Sequence, residues 1–224
     1  MAAGRFGIDR ENRNVFGEKM NDTLKYYEDN AEKLIGSTAG VDFSRIQNSF
    51  LQLLPPHPEI LDFGCGSGRD TKYFLQKGCH VTSTDGSEKI CQAASSCTGI
   101  KVKQMLFQEL EETNVFDGIW ACASILHVSK TELYLVLRKM CDALKSGGII
   151  YTSFKYGEFE GNRNGRYVTD FTEISFQEYI RDISEFSIEE IWITGDVRPG
   201  RGDEKWLNLI LRKMDIHCQS MENT

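Results

Sequence analysis

Between Asp62 and Asp85 the chain sets acids and glycines in an order that can hold a nucleoside. Gly64, Gly66 and Gly68 alternate with Cys65 and Ser67, with Asp62 in front and Arg69-Asp70 behind. Residues without a Cβ let the backbone lie against a ligand, and a helix starting at Arg69 turns unpaired N–H groups toward it. Asp85 follows by about twenty residues, where nucleotide-binding α/β folds place an acid on a ribose hydroxyl. The glycine spacing is not the dinucleotide G-x-G-x-x-G. A pyrophosphate would be repelled by acids on both flanks, whereas an amino-acid ammonium suits Asp62. The pattern favours S-adenosyl-L-methionine, which has ribose, adenine and a methionine tail but no phosphate, over NAD.

Those residues need strands to carry them. Pro55, Pro56 and Pro58 precede the apolar run Ile60 to Phe63, which reads as a buried strand entered from a stiff turn. Arg69 to Gln76 has helical character. A second strand covers Cys79 to Thr84, and Ser87 can cap a helix running to about Cys97. Further strands are expected at Ile100–Phe107, Phe116–Ala123 and Ile149–Phe154, with an amphipathic helix at Lys130–Leu144 stopped by Gly147-Gly148. Lys155 to Thr169 reads as a glycine-rich basic loop, Ser175 to Asp182 as a helix. A sixth strand, Phe186 to Thr194, turns at Gly195–Gly202 into a seventh, Trp206 to Leu211, which must then run antiparallel. Alternation of strand and helix argues a parallel sheet with right-handed crossovers. The fold class is therefore α/β, doubly wound, with a seven-stranded, mostly parallel sheet and one reversed strand.

Two helical faces precede the first strand: Leu24, Tyr27, Ala31, Leu34 and Ile35, then Phe43, Ile46, Phe50, Leu53 and Leu54. The expected organisation is a polar lead-in at 1–19, one domain at 20–214 whose first part, 20–55, is a helical lid, and a polar tail at 215–224.

Leu61 to Asp70 resembles the first motif of the class I S-adenosylmethionine-dependent methyltransferases. The Gly68-Arg69-Asp70 continuation is similar to the subgroup of tellurite-resistance-type and small-molecule enzymes. Phe116 to Val128 and Leu144 to Tyr151 carry further similarity, in an order that spans roughly Tyr26 to Lys213. The resemblance implies that Gly64 and Gly66 line the methionine moiety, with Cys65, Gly68 and Arg69 in the same turn. It implies that Asp62 organises the ammonium end, and that Asp85, beside Gly86, holds the ribose. Leu106, Phe107, Ala121 and Cys122 would complete the cofactor site. Where the family often has an acid on the adenine amine this chain has Leu106, leaving that contact to backbone groups or Gln108. The helices before the first motif form a lid in the family, and Tyr26-Tyr27 resembles a pair bordering the active site. Equally, Tyr27 can be core and Tyr26 surface.

In open α/β sheets ligands sit beyond the carboxyl ends of the strands, and the glycine turn, Asp85, Leu106-Phe107, Ala121 to His127 and Lys155 all follow strand ends. Methyl transfer from a sulfonium needs approach geometry and, for a protonated nucleophile, a base. His127 is the candidate base; the alternative is a structural residue bonding the cofactor loop. Lys155, Arg163, Arg166, Arg198 and Arg201 should hang over one edge of the site. They read either as an Arg fork for an anionic acceptor or as a solvated rim paired with Glu158, Glu160, Asp170 and Glu204. Trp206 supplies an apolar wall or is core.

The chain of 224 residues allows one α/β domain, and its net charge of −7 disfavours charge-driven binding to nucleic acid or an anionic membrane. No apolar run approaches a membrane span. Seven cysteines without C-x-x-C or Cys/His ligand spacing read as reduced cytoplasmic thiols with no metal site. The expected activity is a methyl transfer by in-line displacement to a small-molecule acceptor, leaving S-adenosyl-L-homocysteine. Methylation of RNA or protein, a non-catalytic nucleoside-binding protein and an NAD-dependent oxidoreductase are the alternatives. The expected state is a monomer or homodimer.

Overall fold

The computed structural model describes residues 22–198 and 200–214; the expected lead-in at 1–19 and tail at 215–224 lie outside the described residues. Seven strands form one sheet: β1 (Glu59–Phe63), β2 (His80–Asp85), β3 (Lys103–Gln104), β4 (Phe116–Ala121), β5 (Leu144–Lys155), β8 (Phe186–Gly195) and β9 (Lys205–Lys213). Their order is β3-β2-β1-β4-β5-β9-β8, with β9 antiparallel to both neighbours and the remaining pairs parallel. This is the doubly wound sheet with one reversed strand that the alternation of elements implies. It puts the carboxyl ends of β1, β2, β4, β5 and β8 along one edge.

Helices α4 (Arg69–Gln76), α5 (Glu88–Thr98), α6 (Lys130–Ala143) and α7 (Glu173–Ile180) link the strands. Ser87 caps α5 by accepting from the Ile90 N–H, and Ser129 with Glu132 closes a capping box on α6. Before β1 stand α1 (residues 22–29), α2 (Ala31–Thr38) and α3 (Ser44–Gln52). The apolar face of α3 drives Phe50 against Phe74 and Trp120, and Trp120 stacks on Tyr151 at 4.1 Å. All four rings are fully buried. Each contributes roughly 2–3 kcal/mol, which anchors α3 far more firmly than its short length could. Leu61, Phe63, Ile119, Leu137 and Ile150 form the core on the opposite face under α6.

Three local expectations are corrected. The strand expected at Ile100–Phe107 pairs only at Lys103 and Gln104, because β2 offers two register partners there before the chain turns into a 3-10 helix at Phe107–Glu109. Helix α6 stops at Ala143, ahead of Gly147-Gly148, since Leu144 already pairs with Phe116 in the sheet. The expected loop after β5 contains a hairpin, β6 (Glu160–Arg163) with β7 (Arg166–Thr169). Its two-residue turn is Asn164-Gly165, with φ of 53° and 78°, the left-handed pair that a tight hairpin of native twist requires.

Candidate active site

One cavity of about 1020 Å³ opens beyond the carboxyl ends of the parallel strands, room for a nucleoside cofactor and a second small molecule together. Its first half is built on β1, β2 and β4. Gly64 lies at φ 85°, where a Cβ would stand 2.5 Å from the Ser124 Cβ. The turn therefore packs directly on the loop after β4, and Ser124 Oγ donates to the Phe63 carbonyl at 2.6 Å to seal the contact. At Gly66 a Cβ would meet nothing within 4 Å, so bare backbone faces open space. The Gly66 N–H donates to Asp85 Oδ2 at 3.1 Å and the Ser87 N–H to Asp85 Oδ1 at 3.0 Å. Burial pushes the Asp85 carboxyl up, and these backbone donors partly offset the rise.

Gly64, Cys65, Gly66, Arg69, Asp85, Gly86, Leu106, Phe107 and Cys122 line the cavity as expected from sequence, whereas Asp62, Gly68 and Ala121 do not. Asp62 alternates to the strand face covered by α4, where Thr71 Oγ1 donates to it at 2.5 Å and itself meets Ser83 Oγ. Burial, then the nearby Asp70 charge, raises the Asp62 carboxyl well above the usual range. Gly68, the N-cap of α4, faces Ala94 and Thr98 of α5. Ala121 is the buried end of β4, and the lining begins one residue later. Gln108 turns to Glu132 at 3.3 Å instead of lining the cavity.

Asp70 is a lining residue the spacing did not single out. Arg69 grips it with both Nε and an Nη at 2.8 Å, Gln47 of α3 donates at 2.6 Å, and Trp120 Nε1 donates at 2.9 Å. The guanidinium of Arg69 also lies 4.7 Å over the Phe43 ring. This network ties the glycine turn to the helices before β1. It also commits the one cation of the turn to an acid of the protein.

The second half is built by α1, the β6–β7 hairpin and the β8–β9 turn. Tyr26, Tyr27, His127, Lys155, Arg166, Arg198, Arg201 and Trp206 all line it. The Tyr27 hydroxyl lies 2.6 Å from His127 Nε2, and His127 Nδ1 lies 2.7 Å from the Tyr167 carbonyl. A carbonyl only accepts, so Nδ1 carries the proton, Nε2 holds a lone pair and Tyr27 donates to it. Burial, with the Arg166 charge adding to it, depresses the imidazole to about 4 despite the Tyr167 bond. Burial likewise raises the Tyr27 phenol, although Arg166 opposes the rise. Both members of the pair are neutral near pH 7.

The basic residues fare unequally. Arg198 forms a bidentate pair with Asp196, which also accepts from Trp206 Nε1 at 3.1 Å and lies 3.4 Å from Lys155 Nζ. Burial opposes ionisation of Asp196, but the bonds from Arg198 and Trp206 outweigh it and hold the carboxyl far below the usual range. Lys155 also bridges to Glu204 and lies 4.1 Å over the Trp206 ring. Arg163 pairs with Asp170 at 2.6 Å, and Arg201 reaches Glu204 at 3.9 Å. Of the two alternatives, the paired rim describes four of the five: their acid partners are Asp170, Glu204 and, not among the acids expected, Asp196. Arg166 has none among the described residues.

The fold is the Rossmann-like fold of class I methyltransferases. Residues 60–148 match the family model described as Methyltransferase domain. The chain is similar in structure to 1,6-didemethyltoxoflavin-N1-methyltransferase of Burkholderia thailandensis, solved with 1,6-didemethyltoxoflavin and S-adenosylhomocysteine. The TM-score is 0.71 at 23% identity, covering 96% of this chain and 94% of that one. It is also similar to a SAM-dependent methyltransferase from Methanosarcina mazei, with a TM-score of 0.65, 19% identity and coverage of 74% and 97%. The [4+2]-cyclase SpnF shares the fold at a TM-score of 0.63 and 18% identity, with coverage of 76% and 81%. No curated protein sequence matches the chain. No helix among the described residues is long and apolar enough to cross a membrane.

Proposed function

We propose that the protein is a S-adenosyl-L-methionine-dependent methyltransferase acting on a small-molecule acceptor. The observation that carries this reading is the joining of two half-sites in one cavity: a bare glycine turn pinned by Asp85, and a neutral Tyr27–His127 pair. The first half fits the cofactor. Gly64 and Gly66 leave room for the methionine moiety, Asp85 offers carboxylate oxygens to ribose hydroxyls, and Leu106 with Phe107 flanks the adenine. With Arg69 committed to Asp70, the turn suits a ligand without phosphate. When bound, the cofactor supplies an activated methyl group on sulfur, so the protein's tasks are alignment and proton removal. His127 then acts through Tyr27: the phenol oxygen accepts the acceptor's proton as its own proton passes to Nε2. The cavity is a concave site lined by Tyr26, Tyr27, Phe107 and Trp206 among others, which favours a small acceptor over RNA or protein. The six free thiols of the described residues suit a reducing cytoplasm.

A thermal-shift comparison of S-adenosylhomocysteine, S-adenosylmethionine and NADH tests the cofactor. Ligands of the native state raise the midpoint in proportion to the logarithm of their concentration over Kd. Both sulfur nucleosides should raise it, and Asp85→Ala should abolish the rise. Stabilisation by NADH alone overturns the reading. Because SpnF shares the fold, methyl transfer from labelled cofactor to an acceptor is the second requirement.

A further inference from the structure

Of the five basic side chains singled out around the second half, four share three acid partners and Arg166 has none among the described residues; the exposed Lys205 also lines the cavity. Arg163 and Arg166 flank the same two-residue turn and are direct register partners in the hairpin. Arg163 turns to Asp170, while Arg166 turns over α1, with its guanidinium carbon 4.8 Å from the Tyr26 ring centre and 6.0 Å from that of Tyr27. Arg166 Nε is buried and has no hydrogen-bond partner. The Tyr27–His127 pair beside it is neutral and offers no counter-charge. Gly165 allows this approach, since a Cβ there would stand 3.1 Å from Tyr26 Cδ2 at a φ of 78°.

A guanidinium at a cavity wall with no carboxylate partner is a ready counter-charge for an anion that enters the cavity. Stacking on Tyr26 compensates the face of the ion and Tyr27 takes one of its side-chain hydrogen bonds, but neither tyrosine supplies a negative charge. We propose that Arg166 binds the acceptor, and that the acceptor is a small organic anion with planar, delocalised charge, as in a carboxylate. Arg198 is set aside because Asp196 holds it in a bidentate pair, and Arg201 because it is half exposed and reaches only Glu204, at 3.9 Å. This inference rests on the methyltransferase reading for the word acceptor, but the anion site itself stands on Arg166 and its surroundings.

The test uses benzoate and benzamide, flat probes of equal size that differ in charge at neutral pH. Each is titrated by NMR into the full chain, with and without S-adenosylhomocysteine. Benzoate should bind at least about tenfold tighter than benzamide, the scale of one charge-assisted fork. Arg166→Gln should bring the ratio near one, Arg166→Lys should retain part of it, and Arg201→Ala should leave it unchanged. Affinity for S-adenosylhomocysteine should be the same in all four proteins. A wild-type ratio near one, no benzoate binding, or an unchanged ratio in Arg166→Gln overturns the proposal. Failure of the wild type to bind S-adenosylhomocysteine overturns the methyltransferase reading instead, and the benzoate ratio still decides the anion site.

Discussion

The two halves of the cavity are built in opposite ways. The half on β1, β2 and β4 is held by backbone: Gly66 and Ser87 N–H groups on Asp85, Ser124 on the Phe63 carbonyl, and Asp70 fixed by three different side chains. Every element in it is an end of a buried strand or helix, so its geometry is set by the sheet. The acceptor half is held by side chains from segments far apart in sequence. Tyr27 reaches His127 across 100 residues, and Lys155 reaches Glu204 across 49. A site assembled from backbone tolerates few substitutions at its glycines but many around it. A site assembled from side chains can change specificity one residue at a time. The same division suits a fixed cofactor facing a variable acceptor.

Glycine substitution is the largest expected contrast between the halves. Gly64→Ala puts a Cβ 2.5 Å from Ser124 at a left-handed φ, so overlap adds to backbone strain. A loss of about 3 kcal/mol of stability, with S-adenosylhomocysteine binding abolished, is expected by urea unfolding and calorimetry. Gly165→Ala strains the hairpin but meets only the edge of the Tyr26 ring, so roughly 1–2 kcal/mol should be lost and nucleoside binding kept. Equal effects at both positions would erase the distinction between a rigid and an adaptable half.

Two buried groups, one in the second half of the cavity and one beneath the glycine turn, should answer pH with opposite sign. His127 titrates near 4 in the folded state against 6.5 unfolded. Below 6.5 the unfolded chain gains a proton that the folded protein refuses, so stability is full above 6.5 and falls toward pH 4. The total is at most about 3 kcal/mol. Asp62 is raised when folded, so its contribution is present below 3.8 and is lost as pH rises through the folded value. His127→Asn should therefore flatten the acid limb of a stability–pH curve, and Asp62→Asn should flatten the opposing slope. If neither variant alters its limb, these buried groups are not neutral as their surroundings demand.

Legibility from sequence divides along the same line. The placement of Gly64, Gly66 and Asp85 at the cavity could be read because it follows from local backbone geometry and a strand–turn–helix order, both written in consecutive residues. The reversed β9 was legible from the short turn that precedes it. Asp62 misled because its type suits an ammonium group, yet strand alternation turns it under α4. Asp196 was passed over within a turn noted for its arginines, although an acid two residues before Arg198 is a ready local partner. The hairpin was readable in principle from Asn164-Gly165 but was obscured by the glycines and charges around it. That Arg166 alone lacks an acid could not be read, since it depends on contacts with α1, 140 residues away.

The smallest predicted effect separates the two arginines that sequence treated alike. Arg201 is half exposed and reaches Glu204 at 3.9 Å, a pair that solvent screens to a few tenths of a kcal/mol. Arg201→Ala should shift the KM for the acceptor by less than about twofold and leave kcat unchanged. Arg166→Gln should raise the same KM by about tenfold or more, because nothing in the protein replaces its charge. If Arg201→Ala instead matches Arg166→Gln, the rim acts as a diffuse field that steers the acceptor. Raising the ionic strength would then weaken binding in both variants alike, whereas a single fork at Arg166 leaves the difference between them intact.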